Sequence, residues 1–577
     1  MTALVARPER VRLAGQRQQT TAIVHFRLTV MMLLFLGVIT VIVMRLAWVS
    51  IASGGAADGN GYAGGVGPRG DIVDRNGVPL ATTIEAWSIG IHPREIVNDR
   101  AEVAAKLAAL MPERTEAQYR AILTSGRRFF YLRRRAMPEL VAQVNAIGEP
   151  GIALAREPER LYPQTSLGAH VLGWTDVDGR GVTGMEKVLE GRLTDPAARN
   201  TPVQLSIDSR VQAAMESELG AAMAKHSALA ASGLILDVRT GEVVAMASLP
   251  SFNPNAPGKT PLEALRNHNI QSVYELGSTF KAITAANAIE TGVVPSMTKR
   301  YDATAPLQIG RFRIRDDHPE NRWLNLPEMM VHSSNIVTAR IGEELGEQRI
   351  RAMFNKLGFG AAPAIELPGK ARPLWPVYWG RATSMTVGYG HGIAVTPLNL
   401  AIAYAALVNG GVLRPATLIR RGPGNPVPGG QQVISAATSY RVRQLLRLVV
   451  LPEADGTGKK ADVPGFRLGG KTGTAEKAEA GGYSRNMNVS TFAGVFPMDD
   501  PKYVIIMMLD SPHGTADTYG FTTAAWTVGP AINRVLARVG PMLGVFPDMR
   551  RDIDESDLLP LLWHPKKAGA NAPVNVE

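Results

Sequence analysis

Two serines in the segment 275–300 are each followed three residues later by a lysine. Ser278 precedes Lys281, and Ser296 precedes Lys299. A serine hydroxyl becomes a strong nucleophile only when a nearby base removes its proton, and a lysine can be that base when burial lowers its pKa. The two pairs are therefore alternative candidates for nucleophilic catalysis.

The residues after Ser278 are apolar around nearly the whole circumference of a predicted helix, and its apolar positions are Ala282, Ile283, Ala285, Ala286, Ala288 and Ile289. This pattern predicts a helix buried inside a domain. Ser278 would lie at its N-terminus, where free backbone N–H groups favour developing negative charge. Lys281 would lie on the same face one turn later, desolvated and suited to act as a base.

The second pair has a different setting. Ser296 follows Pro295 beyond the predicted end of that helix, and Lys299 stands next to Arg300 in a polar connection. Nothing in this connection would desolvate the lysine, so Ser296 is predicted to be an ordinary turn residue.

Two further motifs carry side chains suited to the same chemistry. Ser333-Ser334-Asn335 supplies a hydroxyl and an amide at the start of a predicted helix, and a Lys-Thr-Gly-Thr run at 471–474 lies on a predicted strand. The three motifs, in this order and at these separations, resemble the signature of penicillin-binding proteins and serine β-lactamases. Each motif alone is weak, whereas the combination is specific.

The resemblance extends over about residues 67 to 540. In this range the chain is similar to class B penicillin-binding proteins of the FtsI type, the septal transpeptidases. It is carried by Arg69-Gly70, Asp74-Arg75-Asn76-Gly77, Tyr162-Pro163, Ala169-His170, Gly181, Gly184, Glu186 and the segments 237–255 and 387–405. One departure is Leu276, where many relatives have a proline.

The resemblance implies a D,D-transpeptidase that cross-links peptidoglycan stem peptides at the septum, with penicillins acting as substrate mimics. In that reaction Ser278 forms the acyl-enzyme and Lys281 is its base. Ser333 would relay a proton to the leaving D-alanine, and Asn335 would hold the amide of the donor peptide.

The strand motif would bind the donor peptide. Lys471 would attract its terminal carboxylate, while Thr472 and Thr474 would donate hydroxyl hydrogen bonds. Gly473 has no side chain, so the substrate backbone could lie against the strand as an added partner. The backbone N–H groups of Ser278 and Thr474 would form an oxyanion hole.

The elements that must position these residues follow from strand and turn patterns. The run 232–248 predicts a hairpin, and three more strands are expected at 466–475, 490–497 and 503–511, with mostly helical segments between. Early and late strands separated by helices predict an α+β domain with a five-stranded antiparallel sheet flanked by helices. Before it, a hairpin near 69–83 and helical patterns at 99–150 predict a mixed, non-catalytic region, and the resemblance implies that this region is an elongated pedestal.

The segment 28–44 carries no charge, and its apolar character resumes after Arg45. About 20 such residues can span a bilayer. The preceding arginines predict a cytoplasmic N-terminus with the rest of the chain on the other side of the membrane. The resemblance implies a bacterial inner membrane with the catalytic domain in the periplasm. A cleaved signal peptide and a buried soluble helix are the alternatives, but the apolar core is longer than in most signal peptides.

The predicted organisation has six parts. They are a cytoplasmic tail (1–27), a transmembrane anchor (28–51), a glycine-rich linker (52–70), a dimerisation-like pedestal (71–222), a transpeptidase domain (223–545) and a C-terminal tail (546–577). The resemblance implies partners as well, namely an FtsW-type glycosyltransferase and other division proteins, and it implies no cofactor.

Composition excludes several other functions. The chain has no cysteine, so thiol nucleophiles and thiolate metal sites are ruled out. Its net charge of +11 is not gathered into a basic patch with aromatics, so nucleic-acid binding is not predicted. The run 316–320 (Asp-Asp-His-Pro-Glu) has metal-ligand types, but adjacent positions in a proline-containing loop rarely converge on one ion, and a solvated loop is predicted.

Four other functions share part of this pattern. An elongation-type class B enzyme has the same three motifs and differs in partners and timing. A β-lactamase needs a deacylating base, and none is identified. A β-lactam sensor should carry a cytoplasmic signalling region, for which a 27-residue tail leaves no room. A division scaffold without activity is the fourth alternative, although all the reactive residues are present.

Overall fold

The computed structural model describes residues 25–45, 68–310, 312–479 and 482–563. Helix α1 (His25–Arg45) has 21 residues and is long and apolar enough to cross a membrane. It begins earlier than the predicted anchor at 28–51, of which residues 46–51 lie outside the described residues. Most of the predicted cytoplasmic tail and glycine-rich linker also lies outside them.

The first sheet is built around the predicted N-terminal hairpin, which the structure confirms. Strand β1 (Ile72–Val73) pairs with the long strand β2 (Pro79–Ile91). Asp74 closes the turn, because its Oδ1 accepts hydrogen bonds from the backbone N–H groups of Asn76 (2.7 Å) and Val78 (2.9 Å). The other strands of this sheet are β3 (Phe130–Ala136), β4 (Ile152–Leu161) and β5 (Val203–Gln204).

Six helices belong to the same region. They are α2 (Arg100–Leu110), α3 (Glu116–Leu123), α4 (Pro138–Asn145), α5 (Ala169–Leu172), α6 (Gly184–Val188) and α7 (Glu190–Thr194). The prediction of helices throughout 99–150 was wrong for β3, which pairs with β2. That partner is distant in the sequence, so local periodicity does not reveal the pairing.

The end of the predicted linker is part of the folded structure, which corrects the expectation of a structureless connector up to residue 70. Arg69 is buried and pairs with Glu186 (Nη2 to Oε2, 2.9 Å), and the same carboxylate pairs with Arg160 (Nε to Oε1, 2.7 Å). Such a buried pair requires its full set of hydrogen bonds, and removal of one partner would leave a buried charge. Arg69 therefore ties the end of the predicted linker to helix α6.

The second region begins with helix α8 (Ser209–Lys225) and strands β6 (Ala230–Asp237) and β7 (Val243–Leu249). The strands form the second predicted hairpin. The apolar side of α8 packs on this sheet, with Val211, Met215 and Leu219 in the same buried cluster as the sheet residues. The predicted domain boundary at 222 therefore falls inside an element of the second region.

The middle of this region is mostly helical. It contains α9 (Lys281–Glu290), β8 (Arg300–Asp302), β9 (Leu307–Ile309), β10 (Phe312–Ile314), β11 (Trp323–Asn325), α10 (Leu326–His332), α11 (Asn335–Lys356), α12 (Arg381–Val387), α13 (Pro397–Val408), β12 (Val412–Leu413), β13 (Gln431–Gln432) and α14 (Ala436–Val450).

Three late strands complete the main sheet, and they are β14 (Gly469–Glu479), β15 (Gly482–Phe496) and β16 (Tyr503–Asp510). Its order is β14-β15-β16-β6-β7, with antiparallel pairing throughout. Helices α15 (Ala524–Thr527) and α16 (Gly529–Met542) follow. The structure confirms the α+β class and a sheet that joins the two ends of the domain.

Residues 546–563, which the sequence assigned to a tail, pack against the second region instead. The guanidinium of Arg447 on α14 pairs with Asp552 (Nη2 to Oδ2, 2.7 Å). The backbone N–H of Trp563 donates to Glu328 Oε1 on α10 (3.0 Å). Three apolar side chains of the segment enter the main core, and they are Ile553, Leu558 and Leu562. Residues 564–577 lie outside the described residues.

A chain truncated after residue 545 should therefore unfold at a lower temperature. Burial of an aliphatic side chain contributes about 1.5–3 kcal/mol, and the truncation also removes Asp552, one of the two carboxylate partners of Arg447. We expect the midpoint of thermal unfolding to fall by roughly 5 °C or more. Truncation after residue 563 is the matched control, and the midpoint of the chain that ends at residue 545 should lie below that of the chain that ends at residue 563. Equal midpoints for the two truncated chains would contradict a packing role for 546–563.

Candidate active site

Ser278 lies in the short 3-10 turn Gly277–Phe280, which leads directly into α9. As predicted, α9 is buried along almost its whole length. Ser278 stays partly exposed between buried neighbours. Leu276, which stands where a proline was expected, has a φ of −97°, outside the range that a proline ring adopts. The nucleophile candidate is thus an accessible hydroxyl at the start of a buried helix.

Two glycines allow strand β14 to lie against this turn. A Cβ atom on Gly277, whose φ is +53°, would stand 2.7 Å from the carbonyl oxygen of Thr474. A Cβ atom on Gly473 would stand 2.3 Å from the carbonyl oxygen of Leu276. The turn that carries Ser278 therefore fills the space left by the missing side chain of Gly473. The sequence had predicted instead that this space would admit the substrate backbone.

Lys281 is fully buried and reaches the turn between α10 and α11. Its Nζ contacts Ser333 Oγ (3.1 Å) and Asn335 Oδ1 (2.7 Å), and it also donates to the carbonyl oxygen of Ser333. These contacts join the first two motifs, although 52 residues separate Lys281 from Ser333. The lysine is held by three oxygen atoms and has no freedom to reach solvent.

Burial lowers the pKa of Lys281 to about 7, and the carboxylates of Asp316 and Asp317 oppose this shift. A substantial fraction of Lys281 is therefore neutral at pH 7. A neutral lysine has a lone pair that can accept a proton, so Lys281 is suited to act as a general base.

Ser333 stands between the lysines of two motifs. Its Oγ lies 3.1 Å from Lys281 Nζ and 3.0 Å from Lys471 Nζ. Ser333 ends α10 in a left-handed conformation (φ +59°), which is strained for a residue with a side chain and persists only where its surroundings hold it. All three motifs therefore meet at one hydroxyl group.

Lys471 is also fully buried, and its Nζ contacts the Thr472 carbonyl oxygen (3.2 Å) as well as Ser333 Oγ. Burial lowers the pKa of Lys471 well below its usual range, and the positive charge of Lys281 acts in the same direction. Two ammonium groups next to one hydroxyl repel each other, so an anion at this place would favour the charged form of Lys471.

Strand β14 lies at the edge of the main sheet and pairs with β15 alone among the described strands. The Thr472 hydroxyl donates to Thr457 Oγ1 (3.1 Å), and Thr474 Oγ1 accepts from the backbone N–H of Ala524 (3.2 Å). An edge strand has backbone groups that can pair with an extended peptide. Thr457 and Ala524 thus contact the threonines of β14, and neither residue was identified from the sequence.

Asn335 is engaged at both ends of its amide. Its Oδ1 accepts from Lys281, and its Nδ2 donates to the Arg315 carbonyl oxygen (3.1 Å). In the structure Asn335 therefore holds Lys281, and its predicted contact with the donor amide stays a prediction.

The loop 316–320 corrects the expectation of a wholly solvated segment. Asp317, His318 and Pro319 are exposed, but Asp316 is buried and accepts a hydrogen bond from Ser334. Within the described ranges, no three side chains of metal-ligand type are placed to hold an ion. No local sequence signal distinguishes Asp316 from its neighbour.

Ser296 lies in an exposed turn, as predicted. Its Oγ contacts Thr298 Oγ1 (2.7 Å), while Lys299 pairs with Glu344 (Nζ to Oε2, 2.7 Å). The second serine and lysine thus have separate partners, and neither approaches the arrangement at Ser278.

The two folded regions match two known protein families. Residues 231–532 match the penicillin-binding protein transpeptidase domain, and residues 65–194 match the penicillin-binding protein dimerisation domain. The chain belongs to the penicillin-binding protein transpeptidases. This confirms the resemblance found in the sequence.

Named relatives of this transpeptidase cover most of its length. The probable peptidoglycan D,D-transpeptidase FtsI of Caulobacter vibrioides is 40% identical over 498 residues, which cover 85% of this chain and 84% of that protein. The peptidoglycan D,D-transpeptidase FtsI of Escherichia coli is 31% identical, and the match covers 85% and 86%.

Solved structures give the same fold. Penicillin-binding protein 3 of Mycobacterium tuberculosis in complex with ampicillin matches with a TM-score of 0.66 and 28% identity, over 85% of this chain and 98% of that one. Its complex with aztreonam matches with a TM-score of 0.65 and 27% identity, over 84% and 98%. Both structural neighbours are penicillin-binding protein 3, the same type of protein that the sequence motifs resemble.

The variant Gly473→Ala should damage the transpeptidase site, because the added Cβ would clash with the Leu276 carbonyl oxygen at 2.3 Å and with Thr279 Cγ2 at 2.8 Å. Overpacking of this kind costs about 1–3 kcal/mol, and it would displace the turn that carries Ser278. We expect a lower unfolding midpoint and at least about tenfold slower acylation by a fluorescent penicillin.

The control is Gly424→Ala, since no atom lies within 4 Å of the added Cβ and the backbone at Gly424 is not left-handed. It should behave as the wild type in both measurements. Wild-type acylation by the Gly473→Ala variant would show that β14 does not constrain the turn.

Proposed function

We propose that this protein is a septal peptidoglycan D,D-transpeptidase that works through an acyl-enzyme on Ser278 and is inhibited by β-lactams. The observation that carries the proposal is the buried Lys281, whose pKa lies near 7 and which stands one helical turn from Ser278 and in contact with Ser333. The names of the FtsI relatives and the β-lactam complexes of the structural neighbours support it.

Acylation begins when Ser278 Oγ attacks the carbonyl carbon between the two terminal D-alanines of a donor peptide. Neutral Lys281 takes the hydroxyl proton. The carbonyl oxygen becomes an oxyanion, which the backbone N–H groups of Ser278 and Thr474 stabilise. The contact of the Gly277 backbone with Thr474 keeps these two backbone segments adjacent.

Collapse of the tetrahedral intermediate breaks the bond to the terminal D-alanine, whose nitrogen needs a proton. Protonated Lys281 supplies it through the Ser333 hydroxyl, because Ser333 Oγ lies 3.1 Å from Lys281 Nζ. Ser333 thus takes one proton from the lysine and gives one to the leaving amine, and D-alanine departs as a neutral amine.

Lys471 attracts the terminal carboxylate of the donor peptide. The negative charge of that carboxylate would keep Lys471 in the ammonium form. Thr472 and Thr474 would donate hydroxyl hydrogen bonds to the same group, and the donor backbone would pair along the edge of β14. Asn335 would hold the donor amide after an adjustment of its present contact with Lys281.

An acceptor amine from a neighbouring stem peptide then attacks the acyl-enzyme. The new amide bond forms as the ester bond to Ser278 Oγ breaks, and the amine proton returns to the serine through the same lysine. A β-lactam acylates Ser278 in the same way, but its ring-opened product stays attached and blocks the acceptor.

The cellular setting is part of the proposal. Helix α1 would anchor the chain once in the inner membrane, with the N-terminus in the cytoplasm and the folded regions in the periplasm. An FtsW-type glycosyltransferase and other division proteins would be its partners. Support comes from the FtsI names of the relatives.

The test is complementation in a bacterium depleted of its own copy of this protein. A full-length fluorescent fusion should collect at midcell and restore division. The Ser278→Ala fusion should reach midcell but leave the cells as undivided filaments, and a Ser296→Ala fusion should restore division.

Other outcomes favour the alternatives. A purely lateral distribution of the fusion would favour the elongation-type enzyme. Restored division by Ser278→Ala would mean that the protein is a scaffold whose chemistry is dispensable.

A further inference from the structure

Asp316 is a buried carboxylate with two short hydrogen bonds to the segment that follows Ser333. Its Oδ2 accepts from Ser334 Oγ (2.7 Å), and its Oδ1 accepts from the backbone N–H of Ile336 (2.9 Å). Hydrogen bonds to an ionised acceptor are about twice as strong as neutral ones. The loop that carries Asp316 is thus joined firmly to the start of α11.

The first of these bonds acts on the residue that caps α11. Ser334 Oγ accepts from the Val337 backbone N–H (3.1 Å) while its own proton goes to Asp316. The second bond satisfies another N–H of the first turn, and a negative charge is favourable there because of the helix dipole. One carboxylate therefore fixes both the cap and the first turn of α11.

The residues on either side of Ser334 are the ones that contact Lys281. Ser333 is in a left-handed conformation that its surroundings must hold, and the Asn335 amide is held by the carbonyl oxygen of Arg315, next to Asp316. A shift of the Ser333–Asn335 turn would change all three contacts of the lysine. The loop 315–316 is the clamp that keeps this turn in place.

Charged and titratable groups on three other segments face Lys281. They are Asp316 and Asp317 from the loop after β10, Lys471 from β14, and His391 from the loop after α12, which lies near Glu275. Asp316 and Asp317 favour the ammonium form of Lys281, and Lys471 opposes it. Asp317 is exposed and screened by solvent, so Asp316 is the unscreened negative charge of the set.

We propose that Asp316 is a positioning residue of the active site, which clamps the Ser333–Asn335 turn onto Lys281 and balances the ammonium form of that lysine with its charge. This rests on the proposed function, in which Lys281 activates Ser278. It adds a residue outside the three motifs to the catalytic arrangement, and it gives that residue two separable effects: one through hydrogen bonds and one through charge.

The test measures acylation rates of the full-length protein in detergent with a fluorescent penicillin, between pH 5.5 and 9.5. Three variants separate the two effects. Asp316→Asn removes the charge and disturbs the hydrogen bonds. Ser334→Ala removes the hydrogen bond to Asp316 together with the cap bond to the Val337 N–H, and it keeps the charge. The control Asp317→Asn removes only an exposed charge.

We expect Asp316→Asn to move the midpoint of the pH profile down by about one unit, because the loss of a nearby opposite charge lowers the pKa of Lys281. Its plateau rate should fall about tenfold or more, as the turn is held less well. Ser334→Ala should lower the plateau and leave the midpoint in place. Asp317→Asn should keep the plateau and shift the midpoint by much less than Asp316→Asn.

A wild-type midpoint and plateau in Asp316→Asn would overturn the proposal, and so would an equal midpoint shift in Asp317→Asn. If Asp316→Asn does not fold, as judged by thermal unfolding, the Ser334→Ala variant still tests the proposal, because an unchanged plateau rate in that variant would refute the clamp.

A wild-type protein that penicillin does not acylate at any pH would refute the proposed function and this proposal with it. An acylated wild type with an unchanged Asp316→Asn profile would refute this proposal alone.

Discussion

The variant Ser278→Ala should form no covalent adduct with a fluorescent penicillin and should cross-link no stem peptides. The reason is that Ser278 is partly exposed and lies one helical turn before the buried Lys281, whose Nζ contacts Ser333 where the three motifs meet. Loss of the nucleophile in a serine protease lowers kcat on the order of 10⁶-fold, and a loss of this size is expected here. The adduct is detected by mass spectrometry after digestion of the labelled full-length protein.

Ser296→Ala is the matched control for this prediction. Ser296 has the same sequence spacing to a lysine, but Lys299 pairs with Glu344 and the turn is exposed. Its acylation should equal that of the wild type. An adduct on Ser296, or one that survives in Ser278→Ala, would refute the assignment. Rapid release of the penicillin from Ser278 would instead favour a β-lactamase.

The acylation rate should depend on pH as expected for a base with a pKa near 7. Only neutral Lys281 can accept the serine proton, so the rate should fall about tenfold per pH unit below 7 and level off above about pH 8. A lysine with the ordinary pKa of 10.5 would give a rate that still rises at pH 10, and on the order of 10³-fold less of it would be neutral at pH 7. Stopped-flow acylation with a chromogenic penicillin measures the profile.

The substitution Lys281→Met keeps an apolar stem of similar length and removes the base. Acylation at pH 8 should fall by about 10²–10⁴-fold, the range typical for loss of a general base. The control Lys299→Met removes a lysine from an exposed ion pair and should keep the wild-type rate. Wild-type kinetics in Lys281→Met, or a profile without a midpoint near pH 7, would exclude Lys281 as the base.

Local patterns were sufficient for much of the fold. The hairpins β1–β2 and β6–β7 both form as predicted. Each is indicated by turn residues and short apolar runs that lie within a few positions of one another. The late strands also form, and the clearest of them is β16, a continuous run of buried, strand-forming residues. Strand β3 was missed since its partner β2 lies about 45 positions earlier and its arginines carry no apolar alternation.

The candidate site likewise has some features that the sequence predicts and others that only the structure shows. The spacing of Ser278 and Lys281 is a local property, because three residues make about one turn of a helix, and the apolar surroundings already predicted burial. The sequence could also rank Ser278 above Ser296, since their neighbours differ within a few residues. It could not distinguish Asp316 from Asp317, although one is buried against Ser334 and the other is exposed.

The sequence by itself thus determined the α+β class, the membrane-spanning candidate and the family, and it was enough to propose Ser278 as nucleophile with Lys281 as its base, because these depend on residue types at short spacing. Only the tertiary structure decided that Ser333 Oγ lies between two buried lysines, that Gly473 makes room for the turn that carries Ser278, and that residues 546–563 pack on the second region with three side chains in the core. These are contacts between distant parts of the chain. Their distances and degrees of burial arise from the packing of whole elements, and no short stretch of sequence contains that information.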